Sequence, residues 1–408
     1  MIGPLLRIGL VLMVALGSGT ASAQRVGGMT RAEVYQQVRE LSALGRRMFA
    51  DRALSASGKL SCASCHSPDH AFGPPDALAV QSGGRDMLQP GRRAVPSLKY
   101  LQAAPSFTEH YFESEDEGDE SVDNGPTGGL TWDGRVDRGG QQARLPLLSP
   151  WEMANESPAD VVAKVRNGEY GRMLRLIFGE GIFDDPDLAF DAILKAFEVY
   201  EQEPRDFYPY SSKYDAFLAG RADLTPQETR GLALFNDPAK GNCAKCHVSR
   251  KASDGTPPQF TDYGLVALGV PRNNAIPANA NSHYFDLGVC GPYRTDLSDH
   301  GKYCGLFMTP TLRNVAMRKV FFHNGVFHSL RQVMEFYVER DTNPEKWYPR
   351  HHDGSIRRFD DLPLQYHDNI NVEPPFDRKP GDRPALIGSE IDDIVAFLQT
   401  LTDGFEAE

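Results

Sequence analysis

The sequence predicts an all-α protein in which one small helical unit is used twice. Three observations predict it. Cys-x-x-Cys-His occurs twice, in "SCASCH" (Ser61–His66) and "NCAKCH" (Asn242–His247). A helical segment and a Phe-x-Asp step precede each copy, Phe49–Asp51 and Phe235–Asp237. Each half then ends in a helix of similar apolar spacing: Leu194, Phe197 and Val199 in one, Ile394, Phe397 and Leu398 in the other. Strand signals are few.

Taken in chain order, residues 1–23 read as a secretory signal peptide. Arg7 gives the positive start, Ile8–Leu16 the apolar stretch, and Ala21–Ala23 the small-residue cleavage site. The apolar stretch is too short for a membrane span, and no later run approaches roughly 18 apolar residues. Export to the periplasm is the expectation. An N-terminal domain follows over 24–205, from the helix ending in "LGRRMF" to the helix "FDAILKAFEVYEQEP". Pro and Tyr interrupt the helical pattern around Pro204–Tyr214, which sets the boundary. The C-terminal domain, 206–408, opens its first helix with a capping box: Thr225 as N-cap, Pro226 in the first turn, Glu228 at the third position. In "HSLRQVMEFYVERDT", Leu330, Val333, Met334 and Tyr337 follow i, i+3, i+4, i+7, so that face points inward. The last helix stops at Gly404. Gly- and Pro-rich stretches (Phe72–Pro96, Ala252–Cys304, Asn343–Pro384) are loops.

Three chemistries use Cys-x-x-Cys. A zinc ribbon needs two pairs roughly 15–20 residues apart, and Cys65 and Cys243 are far beyond that. A thioredoxin-like motif needs a βαβ context that is absent here. Haem c attachment uses two thiols for the vinyl groups and the adjacent His as proximal iron ligand. Only this explains His in both copies, and it suits export. Two covalent haem c groups are therefore expected, one on Cys62, Cys65 and His66 and one on Cys243, Cys246 and His247. The fold class becomes two cytochrome c-like helical domains with long haem-wrapping loops.

The remaining cysteines, Cys290 and Cys304, suit a disulfide closing a short Gly-rich loop in an oxidising compartment. The 408 residues suffice for two cored domains. A formal net charge of −12 argues against nucleic acid as a partner and is compatible with a basic protein. Much of the acid lies in Glu113–Asp123, either a solvated surface loop or a docking patch for a cationic partner. The opposite axial position of each iron decides function, because a filled site moves electrons and an open one binds peroxide. In the second half Met308, Met317, Met334, Tyr337, His323 and His328 are candidate ligands.

Over nearly its whole mature length the chain resembles the diheme cytochrome c peroxidase/MauG superfamily. The resemblance rests on "SCASCH", "TWDGR" (Thr131–Arg135), "LPLLSPWEMAN" (Leu145–Asn155), "NCAKCH", "FMTPTLRNVA" (Phe307–Ala316), "FFHNG" (Phe321–Gly325) and "FYVERDTNPEKWYP" (Phe336–Pro349). The last segment is similar to the MauG-like branch, which places Tyr where ordinary diheme peroxidases place an axial Met. It implies Tyr337 as sixth ligand of the His247 haem, a hard anion favouring high-valent iron. It implies Glu152 as the distal proton carrier, Gln142 as the distal Gln, Pro146 at a pocket position and Trp132 as the indole between the haems. Relatives close this distal site with a loop His. Between Ala71 and Pro96 there is none, so an open His66 haem is expected, with His70 a surface or propionate-contacting residue. Family calcium uses an Asn side chain and two backbone carbonyls. Ala94 stands at the Asn position here, with Arg318 and Val320 supplying the carbonyls. A Trp that MauG carries before its second haem motif is also missing from "DPAKGN".

Three functions follow from the resemblance. The first is a periplasmic enzyme that uses hydrogen peroxide to form a high-valent diheme state and oxidises a Trp or Tyr of a partner protein. MauG and MbnH-like relatives act this way. The second is a peroxidase drawing electrons from a small cytochrome or copper protein. The third is a non-catalytic diheme electron carrier. The insertion Asp286–Gly305 marks a sub-branch.

Overall fold

Two close helix crossings, one in each half, organise the molecule. The computed structural model describes residues 25–26, 28–111 and 123–406. The leader expected over 1–23, and nearly all of the acidic run, lie outside these residues. A two-residue ladder, β1 (Arg25–Val26) with β2 (Met29–Thr30), leads into helix α1 (Arg31–Phe49). A capping box starts α1: Thr30 Oγ1 accepts from the Glu33 amide while the Glu33 carboxylate accepts from the Thr30 amide. The single helical turn α2 (Cys62–Cys65) carries the first Cys pair. A hairpin of β3 (Ser82–Gly83) and β4 (Gln89–Pro90) follows. The first half is completed by α3 (Gly139–Leu148), α4 (Pro158–Arg166), α5 (Glu169–Phe178) and α6 (Pro186–Tyr200).

Short helices α7 (Pro204–Phe207) and α8 (Lys213–Leu218) occupy the stretch where Pro and Tyr break the helical pattern. Helix α9 (Pro226–Asn236) opens with the Thr225–Glu228 capping box that its sequence predicts. After it come β5 (Leu265–Val266) and β6 (Phe307–Met308), paired antiparallel, then α10 (Leu330–Glu339) and α11 (Gly388–Gln399). Among the described residues every strand is two residues long, so the protein is mostly helical, and the long loops hold short 3-10 helices, isolated bridges and these short ladders.

Helix α1 packs on α6, and α9 packs on α11. Each crossing turns on a glycine. A β-carbon at Gly45 would run into the Ala196 carbonyl and lie 2.8 Å from Tyr200 Cβ. One at Gly231 would run into the Asp393 carbonyl and lie 2.8 Å from Phe397 Cβ. Only glycine admits backbones this close. One apolar core gathers Leu44, Met48, Phe190 and Phe197 in the first half, and another gathers Phe235, Phe260, Ile394 and Phe397 in the second. A smaller core around Val289, Tyr303 and Ile370 underlies the insertion, which the Cys290–Cys304 disulfide pins.

The repeat reaches further than the helices. "PSLKY" (Pro96–Tyr100) and "PTLRN" (Pro310–Asn314) make the same hydrogen bonds. Ser97 Oγ donates to the Ala71 carbonyl and Thr311 Oγ1 to the Gln259 carbonyl, both at 2.6 Å. The Leu98 amide donates to Phe72 O at 3.2 Å, and the Leu312 amide to Phe260 O at 3.3 Å. Tyr100 and Asn314 both take left-handed φ, 62° and 60°.

Candidate functional site

Both Cys-x-x-Cys-His segments close on themselves in one turn: the His66 amide donates to Cys62 O and the His247 amide to Cys243 O, each at 2.8 Å. Each imidazole then points Nδ1 at a phenylalanine carbonyl, His66 to Phe72 O at 3.1 Å and His247 to Phe260 O at 2.9 Å. Phe72 and Phe260 are buried and left-handed, with φ of 53° and 55°. That conformation turns the carbonyl toward the ring. Burial lowers the pKa of both histidines to about 4, so each is a neutral imidazole. With Nδ1–H committed to a carbonyl, Nε2 presents its lone pair, the arrangement of a metal-ligating histidine.

None of the four motif cysteines is in a disulfide, so all are available for attachment, and burial pushes the Cys243 and Cys246 thiols up to about 12. The residues therefore fit two thioether-linked haems. Cys62 and Cys65 with His66 would hold one, Cys243 and Cys246 with His247 the other.

A large apolar cavity brings Cys243, Cys246 and His247 together with Leu330, Val333, Met334 and Tyr337. The four α10 residues are the inward face that the periodicity predicts. The Tyr337 ring lies between Phe322 (centroids 6.0 Å) and Phe376 (5.4 Å). Its hydroxyl has no hydrogen-bond partner among the described residues, and burial raises its pKa. Met308 and His323 also border the cavity, whereas Met317 and His328 do not. The His323 ring is stacked on Phe307 at 3.6 Å.

"TWDGR" is a turn with a buried acid at its centre. Leu130 bridges Val136, Thr131 takes φ of 73°, and Gly134 approaches the Gly128 carbonyl so closely that a β-carbon would stand 2.6 Å from it. The Asp133 carboxylate accepts from Thr131 Oγ1, Arg93 and Arg135 at 2.7–2.8 Å. This locks Trp132 between the halves. Its indole N–H donates to Ala94 O at 2.7 Å, and its carbonyl accepts from the Met308 amide at 2.8 Å. Trp132 and Gln142 both border the large cavity.

Glu152 and Pro146 do not border it. Pro146 sits inside α3, and its carbonyl accepts from the Met153 amide, which folds the "SPWEMAN" turn back on the helix. The β3–β4 hairpin packs on this turn, with Gly83 against the Trp151 and Glu152 carbonyls. Burial raises the Glu152 pKa, opposed by the neighbouring Ser149 hydroxyl and by the Arg135 charge. The carboxyl is close enough to Cys62 and Cys65 to raise both thiols electrostatically, an effect smaller than burial. His70 is half-buried, hydrogen-bonded to Ser67 Oγ at 3.0 Å, and borders the large cavity.

Glu201, at the end of α6, escaped the sequence reading. Its carboxyl packs against Gly139 and is the strongest charge acting on the Cys62 thiol. Burial, then the nearby Glu198, push its pKa up to about 8. Nothing local in "VYEQEP" marks it, because its neighbours come from other elements.

Calcium does not fit its family seat. The Ala94 carbonyl is taken by the Trp132 indole and its amide by His323 O. The Val320 carbonyl accepts from Arg318 Nε at 3.3 Å, so a guanidinium already sits there.

The family model for di-haem cytochrome c peroxidase matches residues 39–223. The methylamine utilization protein MauG of Paracoccus denitrificans is 34% identical over 377 residues, covering 89% of this chain and 88% of that one. The crystal structure of the diheme peroxidase BthA from Burkholderia thailandensis matches with a TM-score of 0.78 at 41% identity, covering 89% of this chain and 86% of that one. A MauG-like protein associated with microbial copper homeostasis matches with a TM-score of 0.61 at 25% identity, over 89% of each chain.

Proposed function

Since this chain belongs to the di-haem cytochrome c peroxidase/MauG family, we propose that it uses hydrogen peroxide to oxidise an aromatic side chain, Trp or Tyr, on a partner protein in the periplasm. The protein is an enzyme of the diheme peroxidase class, and that class takes hydrogen peroxide as substrate. Bound haem c supplies the redox chemistry with peroxide and stores the oxidising equivalents.

The chain's own residues do the rest. Glu152, half-buried and without an ion pair among the described residues, accepts a proton from the incoming peroxide and returns it to the leaving oxygen. Gln142 orients the peroxide, and Pro146 shapes the wall. Trp132, fixed by its bonds to Ala94 and Met308, is the indole that passes an electron between the two haem motifs. The observation that carries the reading is Tyr337: its unpartnered phenol borders the same cavity as His247. Burial alone keeps a phenol protonated, whereas iron would draw it to the phenolate, a hard ligand that favours higher oxidation states.

Tyr337→Phe in the purified holoenzyme should alter the low-spin signal of its electronic spectrum. An unchanged spectrum discards Tyr337 as a ligand. The 41% identity to the diheme peroxidase BthA favours a second reading, a peroxidase fed by a small cytochrome or copper protein. Stoichiometric peroxide with either reduced donor separates the two. Slow donor oxidation supports the oxidase, and rapid multiple turnover replaces it. Peroxide-dependent capture of the partner with mass mapping then locates the modified residue.

A further inference from the structure

We propose that Arg318 is a built-in cation at the seam between the two halves, that its free edge holds a haem propionate, and that it takes the seat a divalent metal would need. Its guanidinium is held by a carbonyl from each half: Nη2 donates to Val95 O at 3.0 Å and Nε to Val320 O at 3.3 Å. Its neighbour Lys319 crosses the same seam to Pro75 O at 2.9 Å. Nη1 has no hydrogen bond among the described residues. It lies 3.5 Å from where a β-carbon of Gly73 would stand, on the loop that orients His66.

The missing partner is what points to a ligand. Five arginines whose side chains are at most 10% exposed each have a carboxylate: Arg93 with Asp133 and Asp286, Arg272 with Asp361, Arg294 with Asp296, Arg313 with Asp215, Arg340 with Asp341. Arg318 has none within 4.0 Å among the described residues, although burial already lowers its pKa to about 10. Arg318 is half-buried, and a cation so far withdrawn from water without counter-charge is unfavourable. Arg318 borders the large cavity, so the counter-charge must come from what that cavity holds. On the two-haem reading the available anion is a propionate, and because Nη1 faces the Gly73 loop that orients His66, we assign it to the His66 haem. Calcium would then meet a fixed positive charge where it needs oxygen ligands.

A fixed cation beside a haem favours the reduced iron, so its removal lowers the reduction potential. In redox titrations of the holoenzyme, Arg318→Met should raise the oxidised-to-reduced ratio of the His66 haem at fixed applied potential roughly tenfold, about 59 mV for one electron. Arg318→Lys, which keeps the charge, should shift it less. Equal midpoints in wild type and Arg318→Met overturn the proposal. Elemental analysis of the wild type should find no stoichiometric calcium, and a chelator should leave the haem spectrum unchanged. One calcium per chain, whose removal changes that spectrum, also overturns the proposal, whether or not the variants fold. A pyridine haemochrome count of two haems per chain checks the two-haem reading separately.

Discussion

Glu152 shows what burial does to an ordinary residue. Its carboxyl has a pKa above the usual range because desolvation outweighs Ser149 and Arg135. In the role proposed for it, proton acceptor for peroxide, it must be ionised, so the peroxide reaction should accelerate with pH through a midpoint above the normal carboxylate value. Glu152→Gln should slow that reaction by about 10²–10⁴-fold in stopped-flow mixing, with haem content intact. Glu201 makes a different prediction. Its folded pKa, about 8, is raised above the ordinary value of about 4.3. Below both values the folded and unfolded chains hold the proton alike. Between them the unfolded chain releases a proton that the folded one keeps, so stability falls as pH rises. Glu201→Gln should flatten that slope and stabilise the protein at pH 8–9 relative to wild type, measured by denaturant unfolding at several pH values. At this scale the cysteines and histidines were legible in the sequence because covalent attachment demands them contiguously. Glu201 and Arg318 were not, because their meaning depends on neighbours from distant segments.

The helices were legible where the chain announces them. The Thr225–Glu228 box and the α10 face Leu330, Val333, Met334 and Tyr337 form as their sequences predict. The glycine crossings were hidden in plain view: Gly45 precedes Phe49 as Gly231 precedes Phe235, and each lets two helix backbones touch. Gly231→Ala should therefore cost about 1–3 kcal/mol or more in unfolding experiments, since a methyl there meets backbone rather than a movable side chain. The matched "PSLKY" and "PTLRN" segments were masked by unequal loops. The carbonyl that orients the first histidine lies 6 residues on, and the second 13. Alignment by spacing fails there, while the hydrogen bonds coincide.

Across the whole molecule, one residue near the C-terminus ties the halves. The Asp403 carboxylate accepts from Lys99 at 2.9 Å and Tyr100 at 2.7 Å in the first half, and from Asn314 at 2.7 Å in the second. Burial pushes its pKa up, but Lys99 and these hydrogen bonds outweigh it and hold the carboxyl below the usual range. Its contribution is thus present above the ordinary aspartate value, about 3.9, and lost as pH falls through the lowered one. Asp403→Ala leaves the Lys99 ammonium without its partner and should destabilise the protein by about 3 kcal/mol at neutral pH. If the halves melt independently in that variant, calorimetry should resolve two transitions.

The sequence by itself determined the cofactor chemistry, the helical class, the tandem repeat and the candidates Glu152, Gln142, Trp132 and Tyr337. These depend on residue type, spacing and resemblance, all of which are written along the chain. Tertiary structure alone decided which candidates share a cavity, that Tyr337 and His247 border one space, and that the Arg318 guanidinium bridges carbonyls of the two halves. Electrostatics and burial act through space. A residue's charge partners and its distance from water are fixed only when segments far apart in sequence are packed together.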